Sequence, residues 1–415
     1  MNAVLDTVAQ PWMGDVSTRA VMRALSAEED LARFFGGAVR NALLGEPVGD
    51  IDIATPLTPD EVIHRLKSAG LGAVPTGFEH GTVTAIAGGK PFEVTTLRRD
   101  VETFGRHATV AFTTDWKEDA ARRDFTMNAL YAGEDGAVYD YFGGLADLAA
   151  RRVRFVGDAS ERIREDYLRI LRLFRFHAWY GKGELDEEAL AAAVAQRAGL
   201  KLLSAERVQK ELLRLLEAAD PYATLAVMAR TGILAEILPA ELHLARLANL
   251  IAIENMSGFV PDAILRLGAL IPDGAGPAER IAQSLKLSNA ARDRLVQAAE
   301  KDQRIVAGLP PPQARKLIYR LGASCFRDQV LLQWAGCGAA PDAAAWRVLL
   351  VHAENWKPPL FALDGNDVMA LGIEEGPEIG VLLRDVEAWW VEQDFAPDRP
   401  ALLERLKAAV QRPRA

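Results

Sequence analysis

The chain has 415 residues, half of them apolar and a quarter charged, which is typical of a globular protein with about two to four domains. Its net charge of −9 argues against indiscriminate binding to nucleic acid, although residues 151–175 hold eight arginines against four carboxylates. No signal segment and no apolar run long enough to span a bilayer are found in the sequence. We therefore expect a cytoplasmic protein with no membrane partner.

The first third of the chain alternates predicted helices and strands. A helix capped by Asp15 is expected to run to about Ala27, and a short strand follows at residues 34–35. A second strand is predicted over residues 50–53. Thr58 then caps a helix that extends to about residue 70.

Gly36 and Gly37 follow the first predicted strand and precede a helix. Backbone N–H groups at the start of a helix have no partner within the helix, and the helix dipole favours an anion there. Arg40, one turn into the helix, adds a positive charge at the same end. The segment is predicted to bind a phosphate group, although a glycine pair before a helix is also typical of an ordinary turn.

Asp50 and Asp52 flank the apolar Ile51 in the predicted second strand. Alternate residues of a strand point to the same face, so both carboxylates are expected to project together while Ile51 points into the core. Two neighbouring carboxylates repel each other unless a cation lies between them, and oxygen ligands suit Mg²⁺. An Asp-x-Asp pair alone is common in surface loops, but beside a phosphate site it indicates nucleotidyl transfer.

Glu93 lies in a predicted hairpin that turns at residues 88–91. It shares a face with Thr95, while Phe92 and Val94 point the other way. A carboxylate on a strand near Asp52 would complete the metal site. A solvated strand glutamate is an equally good interpretation of the same pattern.

Residues 98–114 are predicted to form a polar loop, and a helix is expected to begin at Asp119. From about Arg151 the chain has a helical pattern, with residues 161–180 expected to form one helix. One side of that helix is apolar, and the other carries a charged stripe, which is usually a solvated face with intrahelical ion pairs. The stripe consists of Glu165, Asp166, Arg169, Arg172 and Arg175.

Together these segments resemble the class II tRNA nucleotidyltransferases, the bacterial CCA-adding enzymes, and the related bacterial poly(A) polymerases. The matching motifs occur in the family's order and cover roughly residues 30–217. They are Gly36-Gly37-Ala38-Val39-Arg40, Asp50-Ile51-Asp52, Arg122-Arg123-Asp124-Phe125-Thr126-Met127-Asn128-Ala129, Gly143-Gly144-Leu145-Ala146-Asp147-Leu148, Glu165-Asp166-Tyr167-Leu168-Arg169-Ile170-Leu171-Arg172 and Glu206-Arg207-Val208. Asn41 departs from the pattern, because the family usually has Asp after the arginine.

The resemblance implies an α+β fold. A polymerase-β-like nucleotidyltransferase head, a mixed sheet with helices, would be followed by all-α neck, body and tail domains. We accordingly expect a catalytic head over residues 1–150, a helical neck with a nucleotide-selecting helix over 151–220, and a helical body and tail over 221–415. The body and tail would bind tRNA.

The resemblance also implies template-independent transfer of CMP and AMP from CTP and ATP to the 3′ end of tRNA, by a two-metal in-line displacement. Asp50 and Asp52 would bind the Mg²⁺ ions, with Glu93 as a third candidate catalytic carboxylate. The residues expected to contact the nucleotide are Gly36, Gly37, Arg40, Arg123, Asp124, Asn128, Asp166, Arg169, Arg172 and Arg175. The alternative is a poly(A) polymerase, or an enzyme that adds only A or only CC.

In the family, the Glu-Asp-x-x-Arg motif selects the incoming base. Asp166 can only accept hydrogen bonds and suits the amino group of C or A, whereas Arg169 can only donate and suits the adjacent ring nitrogen or carbonyl. G and U would leave buried polar groups unpaired. Residues 98–110 match the flexible loop of CCA-adding members, which CC-adding members lack, so the resemblance favours addition of all three nucleotides.

Overall fold

The computed structural model describes residues 4–26, 31–104, 107–338 and 343–411, with only the backbone described for the strand residues within 100–110. The chain divides into two compact units, Met1–Pro239 and Ala240–Ala415. This division does not test the domain boundaries expected near residues 150 and 220, which stay predictions.

The described strands all belong to the first unit. They are β1 (Arg33–Phe35), β2 (Asp52–Thr55), β3 (Gly72–Gly77), β4 (Thr82–Ala87), β5 (Lys90–Thr96), β6 (Arg98–Phe104), β7 (His107–Phe112), β8 (Leu130–Ala132) and β9 (Val138–Asp140). Seven of them form one sheet in the order β3-β4-β5-β2-β1-β8-β9, and β6 pairs with β7. Within the sheet, β2 and β5 are parallel and the other neighbours are antiparallel.

Helices connect and follow these strands in the first unit. They are α1 (Pro11–Gly14), α2 (Val16–Ser26), α3 (Gly37–Leu44), α4 (Pro59–Ser68), α5 (Trp116–Ala121), α6 (Gly144–Ala149), α7 (Ala159–Glu165), α8 (Leu168–Tyr180), α9 (Glu187–Ala195), α10 (Ala205–Leu216), α11 (Tyr222–Arg230) and α12 (Ile233–Ile237). Short 3₁₀ helices cover Phe78–His80, Thr126–Asn128 and Arg197–Leu202. The predicted cap of α4 is confirmed, because Thr58 and Glu61 form a reciprocal capping box.

The centre of the sheet is buried on both faces. Phe34 of β1 pairs with Ile53 of β2, and both side chains are almost completely buried. The alternate positions, Phe35 and Ala54, lie in another buried cluster with Tyr131. Two-sided burial explains why Phe34 and Phe35 in β1, and Ile53 and Ala54 in β2, are consecutive apolar residues instead of the alternation of a half-exposed strand.

In the part of the second unit that the structure describes, all regular elements are helices. They are α13 (Leu244–Ser257), α14 (Ala263–Leu270), α15 (Ala275–Ser284), α16 (Asn289–Ala299), α17 (Pro311–Leu321), α18 (Ala323–Cys337), α19 (Ala343–Asn355), α20 (Gly365–Met369), α21 (Pro377–Glu392) and α22 (Arg399–Val410). A mixed sheet with helices followed by a helical region confirms the predicted fold class. Among the described helices, none combines the length and apolarity needed to cross a membrane.

Two predictions about longer segments of the first unit are wrong. The expected polar loop contains the β6–β7 hairpin, because the residue types enriched in strands, such as Val110 and Phe112, favour pairing despite the charged first arm. The expected single helix over residues 161–180 is broken between α7 and α8. Asp166 at the break has extended backbone, with φ −156° and ψ 107°, and its carboxylate accepts the N–H of Leu168 at 3.1 Å, as a helix-capping residue does.

Candidate active site

Asp52 is the first residue of β2, and the parallel strand β5 places Glu93 beside it in register. Residues in register on neighbouring strands share a face of the sheet, so the two carboxylates lie on the same face. Asp50 is in a bend before the strand, which corrects the predicted strand over residues 50–53. The strand cannot pair with β1 further back, because Gly36 turns the chain into α3 directly after Phe35.

Ile51 is also placed differently from the prediction. It is half-buried, not a core residue, and lines a cavity of about 450 Å³ together with Trp12 and Phe92. The alternation that puts Ile51 in the core requires a strand, and the strand starts only at the next residue. Ile51 therefore supports the bend that carries Asp50 and contributes little to the sheet.

The positive charge near Asp52 is too weak to balance the burial and the negative charges that act on its carboxylate. Burial raises the pKa of Asp52 to about 6, the negative charges of Glu93 and Asp50 contribute to the increase, and the positive charge of Arg123 opposes it. Within the described residues, no group of three or more His, Cys, Asp or Glu side chains is arranged to hold a metal ion. The two neighbouring carboxylates Asp50 and Asp52 fit Mg²⁺, which usually keeps several waters and is seldom bound by protein ligands alone.

Arg123 is a fixed positive charge next to these carboxylates. Its guanidinium lies over the ring of Phe35, 4.0 Å from the ring centroid, and donates to Asp119 Oδ2 at 2.7 Å. The hydroxyl of Tyr131 donates to the same oxygen at 2.6 Å. The buried Nε–H of Arg123 has no acceptor in the described part of the chain. The predicted contact of Arg123 with phosphate stays a prediction.

Asp119 was not among the residues singled out from the sequence. It is almost fully buried and accepts hydrogen bonds from Arg122 and Arg123, the residues three and four positions later. Burial by itself raises the pKa of Asp119, but these two guanidinium groups outweigh it and lower the pKa well below its ordinary value. The spacing of an acid before two arginines on a helix was the signal that could have identified it.

The glycine turn offers fewer free amides than expected. Gly36 has a positive φ of 65°, which L-residues with side chains rarely adopt, and its N–H donates to the carbonyl of Leu130 at 3.2 Å. A Cβ added to Gly37 would come within 3.6 Å of the Arg40 guanidinium. The predicted phosphate contacts of both glycines stay predictions.

Arg40 is buried and engaged by protein groups at both ends of its guanidinium. It donates to Asn128 Oδ1 at 2.6 Å, to the hydroxyl of Tyr180 at 2.9 Å and to the side-chain oxygen of Asn41 at 2.9 and 3.1 Å. The amide of Asn41 in turn donates to the carbonyl of Pro47 at 2.8 Å. Arg40 thus joins α3 to the end of α8, and its predicted phosphate contact is untested.

Asp124 continues this network to the middle of α8. Its Oδ1 accepts from the amide of Asn128 at 2.9 Å, and its Oδ2 accepts two N–H groups of Arg172 at 2.8 and 2.5 Å. Burial alone raises the pKa of Asp124, but the Arg172 charge and these hydrogen bonds lower it to about 2. Arg175, one turn further, donates to the buried Glu211 of α10 at 2.5 Å.

The two residues expected to read the base lie at the start of α8. Asp166 Oδ2 accepts from Arg207 of α10 at 2.6 Å. Arg169 donates to the Glu165 carboxylate, to the carbonyl of Arg162 at 2.9 Å and to the carbonyl of Arg122 at 3.4 Å. The sequence did not indicate the hydrogen bond between Asp166 and Arg207, although Arg207 lies in the Glu206-Arg207-Val208 motif that matches the family.

Comparison with known proteins identifies the family. The model described as the poly(A) polymerase head domain matches residues 32–154, and that of a probable RNA- and SrmB-binding site of polymerase A matches residues 184–242. Over 405 residues the chain is 35% identical to the mitochondrial CCA tRNA nucleotidyltransferase 1 of Mus musculus, covering 94% of this chain and 89% of the mouse protein. The chain belongs to the CCA tRNA nucleotidyltransferase family.

Bacterial members of the family are similar over the same length. The CCA-adding enzyme of Levilactobacillus brevis is 31% identical over 408 residues, covering 93% of this chain and 96% of that enzyme. The crystal structure of the Bacillus stearothermophilus CCA-adding enzyme in complex with CTP superposes with a TM-score of 0.72 at 26% identity, covering 95% of this chain and 97% of that chain. These matches confirm the resemblance inferred from the motifs.

Proposed function

We propose that this chain builds or repairs the CCA end of tRNA by transferring CMP and AMP from CTP and ATP to the 3′-hydroxyl, with Mg²⁺ as the cofactor. The observation that carries the proposal is the pair formed by Asp52 and Glu93, like charges in register on adjacent strands, beside the Gly36–Gly37 turn. The names of the mouse and Levilactobacillus relatives support the activity, and the complex of the Bacillus stearothermophilus enzyme supports CTP as a substrate.

In this proposal Asp50 and Asp52 hold the metal, and Glu93 adds negative charge next to it. A Mg²⁺ ion held by these carboxylates would supply activation of the attacking hydroxyl and neutralisation of the charge that develops on the triphosphate. Asp52 suits this position because burial, and after it the negative charges of Glu93 and Asp50, raise its pKa, and a bound cation would favour its ionised form. Arg123, held by Asp119, supplies a fixed positive charge for the phosphates, and Gly37 allows the backbone to approach them.

Base choice is assigned to Asp166 and Arg169, with Asp124, Asn128, Arg40, Arg172 and Arg175 holding the nucleotide and the surrounding helices. The break between α7 and α8 supports this role, because it frees Asp166 from a helical position and Arg207 fixes the orientation of its carboxylate. The domain boundaries at residues 150 and 220, tRNA binding by residues 221–415, and the cytoplasmic location belong to the same proposal. Fluorescence microscopy of a tagged chain tests the location.

Incorporation of labelled nucleotides tests the activity. The full chain is incubated with Mg²⁺, a tRNA that lacks its CCA end, and CTP, ATP, UTP or GTP singly and in pairs. We expect CTP alone to add two residues and CTP with ATP to complete the end. Use of ATP alone, with no use of CTP, would instead identify a poly(A)- or A-adding enzyme, and CC without A would identify a CC-adding one.

Arg169→Ala tests the assignment of base choice. We expect about a 100-fold lower kcat/KM for CTP, which corresponds to about 3 kcal/mol and to the loss of paired hydrogen bonds to the base. The preference for CTP over UTP should fall as well, while the dissociation constant for tRNA should stay within about twofold. A lower rate with an unchanged preference for CTP over UTP would show that Arg169 has only a structural role, through its hydrogen bonds to the carbonyls of residues 122 and 162.

A further inference from the structure

A groove of about 770 Å³ lies between α8 and α10, lined by five basic and two acidic side chains. The two helices run side by side in the same direction. Arg175 contacts Glu211, and, one turn further along both helices, the indole N–H of Trp179 donates to the carbonyl of Arg214 at 2.6 Å. The groove therefore runs along the length of both helices, and Arg172 lies near the end where it begins.

The charges of the groove are balanced at its floor and positive along its rim. At the floor, buried Glu211 accepts from Arg175 and lies 3.7 Å from Arg172. On the rim, Lys210 is exposed, and Arg214 is 59% exposed and pairs with Glu217 of its own helix. An ion pair between exposed side chains is weak, so Arg214 remains available to an anion.

An aromatic ring lies at the far end of this rim. Trp179 is 41% exposed, although its indole N–H is hydrogen-bonded to the backbone of α10. The guanidinium of Arg214 lies over its ring, 5.5 Å from the centroid. The ring is thus held in a fixed orientation with part of its surface facing solvent, which is the arrangement required of a stacking platform.

We propose that this groove binds the single-stranded 3′ end of the RNA that is to be extended, with phosphates along Lys210 and Arg214 and a base stacked on Trp179. The inference rests on the proposed function and concerns the path of the RNA substrate. A row of cations that ends at an exposed aromatic is what single-stranded nucleic acid requires, because the backbone needs repeated charges and the bases need stacking surfaces. Since the whole chain has a net charge of −9, RNA is attracted only where basic residues are concentrated.

The position of the groove favours RNA over the triphosphate of the incoming nucleotide. Lys210 and Arg214 are four residues apart on α10, about 6 Å along the helix axis at 1.5 Å per residue. Towards Leu168 the groove includes Arg172, which holds Asp124, and Arg207, which holds Asp166. The rim therefore leads away from Asp124 and Asp166, along a course that a polymer follows and a single nucleotide does not need.

Charge reversal on the rim tests the proposal. For the full-length Lys210→Glu/Arg214→Glu variant, we expect the KM and the dissociation constant for tRNA without CCA to rise about tenfold or more. The slope of log affinity against log salt should fall by about 1.5, as for the loss of two phosphate contacts on a single strand. The KM for CTP should change less than about twofold, because the nucleotide site is not altered. Arg23→Glu/Lys67→Glu, the same charge change on exposed residues of α2 and α4, is the matched control.

Trp179 provides a second, independent measurement. We expect Trp179→Ala to raise the KM for tRNA several-fold and Trp179→Phe to restore most of the affinity, because any aromatic ring stacks with a base. Wild-type tRNA affinity in the rim variant, or a KM for CTP that rises in parallel with that for tRNA, overturns the proposal; the latter result assigns the groove to the triphosphate. If the wild-type chain itself adds no nucleotide to tRNA, the proposed function fails, which is a different outcome.

Discussion

Two buried or half-buried carboxylates of the first unit, Asp52 and Asp124, have opposite electrostatic environments. Burial and the charges of Glu93 and Asp50 raise the pKa of Asp52 to about 6. Burial also disfavours the ionised form of Asp124, but Arg172 and Asn128 lower its pKa to about 2. Asp124 has the partners that a structural carboxylate needs, whereas the two carboxylates near Asp52 outweigh the single positive charge of Arg123, so Asp52 favours a cation from outside the chain.

Carboxylates of the second unit show that burial alone does not distinguish a structural carboxylate such as Asp124 from a candidate metal ligand such as Asp52. Asp328 is almost fully buried in α18 and is held by Arg294 at 2.7 Å. Glu254 and Arg266 form another buried pair, at 2.7 Å. Buried charges with partners of opposite sign stabilise a packed arrangement once formed, and losing one partner is costly. The sign of the neighbouring charge, not the depth of burial, therefore marks the candidate site.

The largest effect is expected from Asp52→Asn. We expect CMP incorporation to fall about a thousandfold, because the amide cannot replace a carboxylate ligand of the metal. The melting temperature should stay the same or rise, because the substitution removes a charge that Glu93 repels. Incorporation of labelled CMP and thermal melting measure the two effects.

Glu79→Gln, at an exposed position of the same unit, is the control for Asp52→Asn. It neutralises an exposed carboxylate that lies outside the glycine turn and β2, so it controls for the loss of one negative charge. Activity and melting temperature should both remain close to wild type. If Asp52→Asn lowers stability as much as activity, Asp52 belongs with the structural carboxylates and the comparison fails.

The next largest effect is expected on stability, from Asp124→Ala. Removing Asp124 leaves Arg172 without its closest carboxylate, with only the more distant Glu211 at 3.7 Å, and should cost about 3 kcal/mol of stability. Thermal melting of the first-unit transition measures the loss. The double variant Asp124→Ala/Arg172→Met should recover part of it, because no buried charge then remains unpaired; equal loss in both variants would place the cost in packing instead.

A smaller effect follows from the pH dependence of the same carboxylate. The folded pKa of Asp124 is about 2, below its ordinary value of 3.8, so its ionisation contributes stability above pH 4 that is lost as the pH falls towards 2. The contribution is about 2 kcal/mol. The melting temperature of wild type should therefore exceed that of Asp124→Asn at pH 7, and the gap should narrow below pH 4. A gap that stays constant with pH would contradict this assignment.

The sequence was sufficient for the parts of this site that depend on local pattern. Alternation along β5 correctly separates Glu93 from Phe92 and Val94, and the cap at Thr58 correctly starts α4. Pairing between distant segments is not encoded in a local pattern. The register of Asp52 with Glu93 depends on the parallel pairing of β2 and β5, which a sequence period does not specify.

Strand and helix boundaries were missed for related reasons. The start of β2 at Asp52 is set by where β1 ends, so it depends on a different segment of chain. The break at Asp166 interrupts a helical period that continues almost unchanged from α7 into α8. The hydrogen bond between Asp166 and Arg207 joins residues 41 positions apart, and no local rule relates them. Motif resemblance identified these residues as functional without indicating their contacts.

The smallest effect is expected at Asn41, where the family usually has Asp. Asn41→Asp keeps the oxygen that accepts both bonds from Arg40 and strengthens those bonds with a charge, but it loses the amide that donates to the Pro47 carbonyl. The two changes should nearly cancel, to within about 1 kcal/mol, whereas Asn41→Ala loses both contacts and should cost about 2 kcal/mol. Melting temperatures of the two variants measure the difference. Like Asp124, the new carboxylate would be paired with an arginine, here Arg40, so CMP incorporation should be retained. A loss of activity in Asn41→Asp without a loss of stability would show that negative charge at this position disturbs the phosphate site itself.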